Sequence, residues 1–336
     1  MRLLILGGTE FVGRAVAEAA LARDWQVTVF HRGLHEAPAG VRVLHGDRTT
    51  PDGLAALTDG ALADPVGDRW DVVVDTWSAA PSAVLETARL LAGRAERYAY
   101  VSSRSVYAYP TPAGLDETGP LVDGASADAG RLDYARDKRG GELAAEAVFG
   151  ERALLVRPGL ILGPWENVGR LPWWLGRIAR GGPVLAPGPA DNPLQYIDVR
   201  DLAEWTLDAA AAGLGGAYNV VSPPGHSTMG ELLEACVRTT GSDAELRWTD
   251  PDAIIAAGVE PWTQLPIWLP RGEVHDMMHA GDVSKALATG LRCRPVAETV
   301  RDTWAWLESV GGEAPQRPDR PEVGLAPEVE AALLNS

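Results

Sequence analysis

The sequence predicts an α/β fold, a doubly wound parallel sheet with a smaller interleaved lobe, and three observations carry that expectation. First, a short apolar run, Arg2 to Leu6, ends in the glycine-rich turn Gly7-Gly8-Thr9-Glu10-Phe11-Val12-Gly13, and Arg14 to Ala22 is a good helix former. Strand, tight turn and helix in that order cradle a phosphate, because glycines let backbone amides approach it and the helix N-terminus adds partial positive charge. Second, strand and helix signals keep alternating through the first half of the chain; repeated βα units imply a parallel sheet. Third, Tyr134 and Lys138 stand in Asp133-Tyr134-Ala135-Arg136-Asp137-Lys138. Four residues make about one helical turn, so phenol and ammonium share a helix face, where the cation can depress the phenol's pKa. A phenol near its ordinary pKa of about 10 is a poor base at neutral pH.

After the glycine turn, Gln26 to Phe30 is the second strand and His31-Arg32-Gly33 its turn. Val41 to His45, Trp70 to Asp75, Arg97 to Ser102 and Arg152 to Arg157 are further strands, with helical stretches between them. Beyond Gly163 the rhythm breaks into proline, glycine and tryptophan, then returns at Leu194 to Asp198 and Ala217 to Val221. Residues 1–162, with a return segment 194–224, therefore make the dinucleotide-binding domain. Residues 163–193 and 225–310 make the substrate-binding lobe, to which Thr228 to Thr239 and Pro295 to Ser309 contribute helices. Residues 311–336, rich in proline, glutamate and arginine, read as a C-terminal tail in which Pro327 to Leu334 forms a short helix.

A net charge of -16 over 336 residues repels phosphate backbones, which argues against nucleic acid as a partner. No apolar run approaches the roughly 20 residues needed to span a bilayer, and Arg2 leads directly into a strand and a glycine turn instead of a secretory pattern. A cytoplasmic protein with no membrane partner is expected. The two cysteines, Cys236 and Cys293, stand near no metal-like cluster, so neither a disulfide scaffold nor a metal site is expected.

Six landmarks in order give the chain a resemblance: Gly7 to Gly13; Gly46-Asp47 after the third strand; Tyr100-Val101-Ser102-Ser103-Arg104-Ser105-Val106-Tyr107; Tyr134 with Lys138; Arg157-Pro158-Gly159 with Gly163-Pro164; and Tyr196-Ile197-Asp198-Val199-Arg200-Asp201. Over roughly residues 1 to 310 the chain resembles the extended short-chain dehydrogenase/reductase superfamily, the NAD-dependent epimerase/dehydratase-like proteins. That resemblance implies a Rossmann-type sheet and a catalytic set of Ser103, Tyr134 and Lys138. Tyr134 would pass a proton to or from the substrate oxygen, its phenolate favoured by Lys138 and by the positive nicotinamide ring of an oxidised cofactor. Ser103 would hydrogen-bond the same oxygen, and Lys138 would also bind the nicotinamide ribose. The cofactor would rest on Gly7, Gly8, Thr9, Phe11, Val12 and Gly13, with Asp47 as the adenine contact. Ser102 is less favoured as a catalyst than Ser103, and Ser105 is a pocket contact.

Departures from the family's pattern shape the remaining expectations. Glu10 replaces the middle glycine and puts a carboxylate near the diphosphate, so it should point away or meet Arg14 or Arg32. After the second strand there is no aspartate for the ribose hydroxyls, only His31 and Arg32; a guanidinium there suits a 2′-phosphate, so NADP is expected, with NAD as the alternative. Trp77 follows the fourth strand, where it either shapes the pocket or packs in the core, and Asp75 should be buried with a capping role. Leu194 stands where sugar-nucleotide epimerases carry a diphosphate-gripping arginine, while Arg271 lies roughly where a second such arginine would be. Trp165, Trp173 and Trp174 are candidate pocket walls, aromatic faces for a neutral or weakly charged ligand. The expected activity is that of an NAD(P)-dependent oxidoreductase on a hydroxyl, carbonyl or imine of a small non-nucleotide metabolite. A nucleoside-diphosphate-sugar epimerase or dehydratase with tightly held NAD is the first alternative, a non-catalytic nucleotide sensor the second. Relatives pair through helices corresponding here to Pro81 to Ala92 and Arg131 to Phe149, so a homodimer is expected.

Overall fold

The computed structural model describes residues 1–58, 69–314, 316–317 and 320–335. Its centre is a sheet of seven parallel strands. β1 (Arg2–Leu6), β2 (Gln26–His31) and β3 (Arg42–His45) run outward in one direction, and β4 (Trp70–Asp75), β5 (Ala95–Val101) and β6 (Ala153–Pro158) in the other. β1 and β4 are neighbours, so the chain reverses its winding between them, and Leu6 stands level with Phe30 on one side and Asp75 on the other. In such sheets ligands bind beyond the strands' C-terminal ends at this switch point. The β1 residues Leu3 to Leu6 are almost wholly buried, as are Val72 to Val74 of β4, because both faces of the sheet are covered by helices. α1 (Phe11–Leu21) lies on one face; α2 (Pro81–Leu91) and α3 (Tyr134–Phe149) pack against each other on the opposite one.

β7 (Leu160–Leu162) follows β6, and with it the chain leaves the sheet. The lobe that follows has its own core, formed around α4 (Arg170–Ala179), β8 (Pro183–Pro187), α6 (Met229–Thr240), β13 (Glu245–Thr249) and α10 (Val296–Ser309). Between α4 and α6 lie β9 (Pro193–Leu194), β10 (Tyr196–Asp198), α5 (Val199–Ala211), β11 (Gly216–Val220) and β12 (Ser227–Thr228). Between β13 and α10 lie α7 (Pro251–Ala256), β14 (Pro261–Trp262), β15 (Leu265–Pro266), α8 (Glu273–His279) and α9 (Ser284–Ala288). α6 starts on a capping box, in which Thr228 Oγ1 accepts from Glu231 N and the Glu231 carboxylate accepts from Thr228 N. No described helix is long and apolar enough to cross a membrane.

Three expectations are corrected. The strand expected over Leu194 to Asp198 is broken at Gln195, whose side chain is fully buried and donates to Gly281 O (2.7 Å). β9 then pairs antiparallel with β12 and β10 pairs with β7, so Leu194 lies in the lobe's core and only β11 of the return segment rejoins the main sheet. The helix expected from Arg131 begins at Tyr134, because the Asp133 carboxylate caps it by accepting from Arg136 N (3.0 Å). The described residues after Gly311 are no loose tail. Gly324 N donates to Thr263 O (2.9 Å), Leu325 is buried, and α11 (Pro327–Leu334) packs on β8. There the buried Glu330 joins Arg177 Nε (2.6 Å) and Leu185 N (3.1 Å).

Candidate active site

The glycine turn leaves β1 at the switch point. Gly7 and Gly8 have φ of 118° and 95°, left-handed values that favour glycine, and Gly7 N donates to Phe30 O (2.9 Å). A Cβ on Gly13 would stand 2.5 Å from Gly8 N, so only glycine lets α1 come this close to the turn. Glu10 is the N-cap residue of α1, yet its side chain caps nothing. Its carboxylate is drawn aside to Asn167 Nδ2 (3.0 Å) and His35 Nε2 (3.5 Å). Of the outcomes expected for Glu10 it thus points away rather than meeting Arg14, which pairs with Glu18 (2.8 Å) and lies over Trp165 (3.8 Å). The start of α1 is thus left without a side-chain cap, and the cradle fits the diphosphate of a dinucleotide.

From this turn a cavity of 860 Å³ extends toward α3 and the lobe, and Ser103, Tyr134 and Lys138 lie on its wall together with Gly7, Gly8, Thr9, Phe11, Val12 and Gly13. Ser103 follows β5. Its Oγ donates to Ser105 Oγ (3.1 Å) and accepts from Ser105 N (3.1 Å), so it caps the turn after its strand while bordering the cavity. Tyr134 opens α3 with its ring partly exposed, and Lys138 follows one turn deeper. Lys138 Nζ donates to Trp77 O and Val101 O, both at 2.6 Å. Burial pushes its pKa down to about 7, with Asp75 opposing the shift and Arg320 and Arg317 adding to it.

Asp75 supports this arrangement from below. Its carboxylate accepts from both Arg48 Nη atoms (2.7 and 2.8 Å), from Tyr98 Oη (2.5 Å) and from Trp77 N (2.9 Å). That last bond anchors the backbone of the residue whose carbonyl receives Lys138. Trp77 therefore acts through its backbone. Its ring packs in the core beside Arg48 and does not line the pocket.

Several other expected pocket residues lie elsewhere. Trp174 is fully buried, its Nε1 donating to Pro266 O (2.7 Å); Trp173 packs edge-on against it, and Trp165 packs near Trp306. Trp174 belongs to the lobe's core and the half-buried Trp165 and Trp173 pack against it, because their helix and loop turn the apolar face inward. Arg271 is exposed on Asp191 (2.9 Å), away from the cavity wall. Arg32 is exposed and Asp47 accepts from Thr49 N and Oγ1 (3.0 and 2.6 Å), so Asp47 caps its turn; neither is on the cavity wall. Ser105 is on it.

Of the lobe's tryptophans, at least one of which was expected in the pocket, Trp262 is on the wall, which also holds residues not expected there from the sequence: Arg104, Asn167, Arg170, Arg317 and Arg320. Arg320 lies over the Tyr134 ring at 4.9 Å and Arg170 over Trp262 at 5.2 Å. The aromatic residues Phe11, Tyr107, Tyr109, Tyr134 and Trp262 thus share the wall with four guanidinium groups, and two of these arginines, Arg317 and Arg320, come from the segment expected as a tail. Their signal, two arginines close together in a polar stretch, is indistinguishable in sequence from a solvated surface. Among the described residues no group of His, Cys, Asp and Glu is placed to hold a metal ion.

Residues 3–221 match the NAD dependent epimerase/dehydratase family. The bovine (Bos taurus) epimerase family protein SDR39U1 is 27% identical over 281 residues, which cover 76% of this chain and 86% of that protein. Among solved structures, the Bordetella bronchiseptica enzyme WbmG in complex with NAD and UDP superposes with a TM-score of 0.65 at 16% identity, covering 96% of this chain and 99% of the other. The Thermus thermophilus UDP-glucose 4-epimerase complex with NAD gives 0.60 at 20% identity, covering 92% and 99%. These likenesses establish the fold.

Proposed function

The chain belongs to the NAD dependent epimerase/dehydratase family, and from that premise we propose that it is a nicotinamide-dependent oxidoreductase acting on a hydroxyl, carbonyl or imine of a small metabolite. The observation that carries this reading is the cavity whose wall includes both the glycine turn and Ser103, Tyr134 and Lys138. A nicotinamide dinucleotide bound on Gly7 to Gly13 supplies the hydride acceptor or donor. Tyr134 Oη passes the proton to or from the substrate oxygen. Ser103 Oγ turns its hydrogen bond from Ser105 toward that oxygen and holds it in place. Lys138, anchored on Trp77 O and Val101 O, offers a cation one helical turn from the charge developing at Tyr134.

Arg32, exposed after β2 with no acid of its own turn beside it, supports NADP as the preferred dinucleotide. Arg32→Ala should then weaken NADP about tenfold or more while sparing NAD, and equal losses in calorimetry would leave NAD as the cofactor. Tyr134→Phe removes one oxygen and keeps the ring, so it should retain dinucleotide affinity and lose turnover by about 100-fold or more. Near-normal turnover in this variant would move proton transfer to another group. A second reading, an epimerase that recycles its cofactor in place, is favoured by the cationic cavity wall and by neighbours solved with NAD and, in one case, UDP. Release of reduced dinucleotide on each turnover separates the two, because an epimerase retains it.

A further inference from the structure

We propose that Arg170, Arg317 and Arg320 form an anion site over Tyr134, and that the substrate carries a carboxylate close to its reacting carbon. This rests on the oxidoreductase reading of the same cavity. The whole chain has a net charge of -16, yet the charged described residues on the cavity wall are five cations, Arg104, Lys138, Arg170, Arg317 and Arg320, and one carboxylate, Glu10. Glu10 is already engaged by Asn167 and His35. A cationic, partly enclosed wall in an acidic protein concentrates anions where the field lines converge.

The cations differ in how far they are already committed. Lys138 is held by two carbonyls, and the Arg104 Nη atoms by Met277 O, Met278 O and Gln195 Oε1. Arg104, Arg170 and Arg320 each keep a buried Nε with no hydrogen-bond partner, but in Arg104 both Nη atoms are already held. An unmet buried N–H is costly, and an incoming acceptor removes the cost. The acid acting on Arg170 is Glu166, whose two oxygens already accept from Arg170 N (2.8 Å) and Leu171 N (3.2 Å) to cap α4. Arg320 and Arg170 repel each other, and Arg317 and Arg320 both repel Lys138, so the cluster concentrates positive charge around one space. The planar guanidinium fork matches a carboxylate. Because Arg320 stacks on the ring that bears the proposed proton-transfer oxygen, an anion held there lies a few bonds from the carbon that reacts.

Calorimetry with malonate as the probe, on protein saturated with NAD, tests this, with NAD affinity measured separately for each variant. Malonate should bind the wild type with a dissociation constant of about 1 mM or tighter. Arg320→Ala and Arg317→Ala should each weaken it about tenfold while NAD affinity stays within about twofold, and Arg170→Lys, which keeps charge but loses the fork, should weaken it less. Absence of malonate binding, or equal binding in the variants, overturns the proposal. So does a matching loss of NAD affinity, which would assign the arginines to the dinucleotide's diphosphate, or tight UDP binding without malonate binding, which would make the substrate anion a diphosphate. If the wild type binds neither NAD nor NADP, the oxidoreductase reading fails, and the same variants titrated with malonate alone decide the anion site by themselves.

Discussion

Arg48→Met should destabilise the protein severely, because it strands a charge in the core beneath the candidate site. Arg48 and Asp75 are both buried, joined through two hydrogen bonds of 2.7 and 2.8 Å, and Arg48 Nη2 also donates to Ala83 O (2.8 Å). Burial pushes the Asp75 carboxyl up; the Arg48 guanidinium beside it overrides that and holds it below the usual range. Removing one partner of such a pair leaves an uncompensated buried charge and costs about 3–5 kcal/mol. Asp75 would respond by taking up a proton or admitting water, and either response loosens its bond to Trp77 N (2.9 Å), which positions the carbonyl that receives Lys138. The double variant Arg48→Met/Asp75→Asn removes the stranded charge and keeps an acceptor for Trp77 N, so it should regain about half of the loss. Urea unfolding followed by tryptophan fluorescence, with NAD titrations alongside, measures both effects. A single-variant loss below about 1 kcal/mol, or a double variant no more stable than the single, would refute the reasoning.

Gly13→Ala should abolish dinucleotide binding and lower thermal stability, since the new methyl would meet the Gly8 backbone at 2.5–2.8 Å; a variant that binds NAD normally in calorimetry would contradict the close approach. Glu166→Gln should be pH-selective. Burial raises the Glu166 pKa to about 7 from 4.5, so between those values the unfolded chain has released a proton that the folded protein keeps, and stability falls as pH rises through that window. The glutamine keeps an acceptor for Arg170 N and never ionises, so scanning fluorimetry should find the variant gaining on the wild type by about 2 kcal/mol between pH 5 and pH 8. An unchanged difference at the two pH values would show that Glu166 does not carry the shift.

The sequence made the first half of the molecule readable because its signals are local. An apolar run into Gly7-Gly8 dictates strand and turn, and a capped helix places Tyr134 and Lys138 on one face whatever surrounds them. The same logic failed for the lobe. Leu194 to Asp198 is apolar and β-branched enough for one strand, but the buried Gln195 that divides it is held by His279 and Gly281, some eighty residues away in sequence. Trp173 and Trp174 could line a pocket or fill a core with equal chemical sense, and only the direction in which α4 docks turns them to the core, as the path of the preceding loop does for Trp165. Arg317 and Arg320 sat in a segment whose composition signals a tail; what anchors it is a buried glutamate, Glu330, meeting Arg177 from a distant helix, a pairing without a local signature.

One cavity brings a dinucleotide cradle together with Tyr134, Lys138 and Ser103, the groups proposed to couple proton transfer to hydride transfer. Calorimetric titration of the wild type and of Gly13→Ala with NAD and NADP tests it most directly. The wild type should bind one dinucleotide per chain with a dissociation constant of about 100 μM or tighter, and the variant none measurably. Wild-type protein that binds neither dinucleotide, or a variant that binds as well as the wild type, would contradict it.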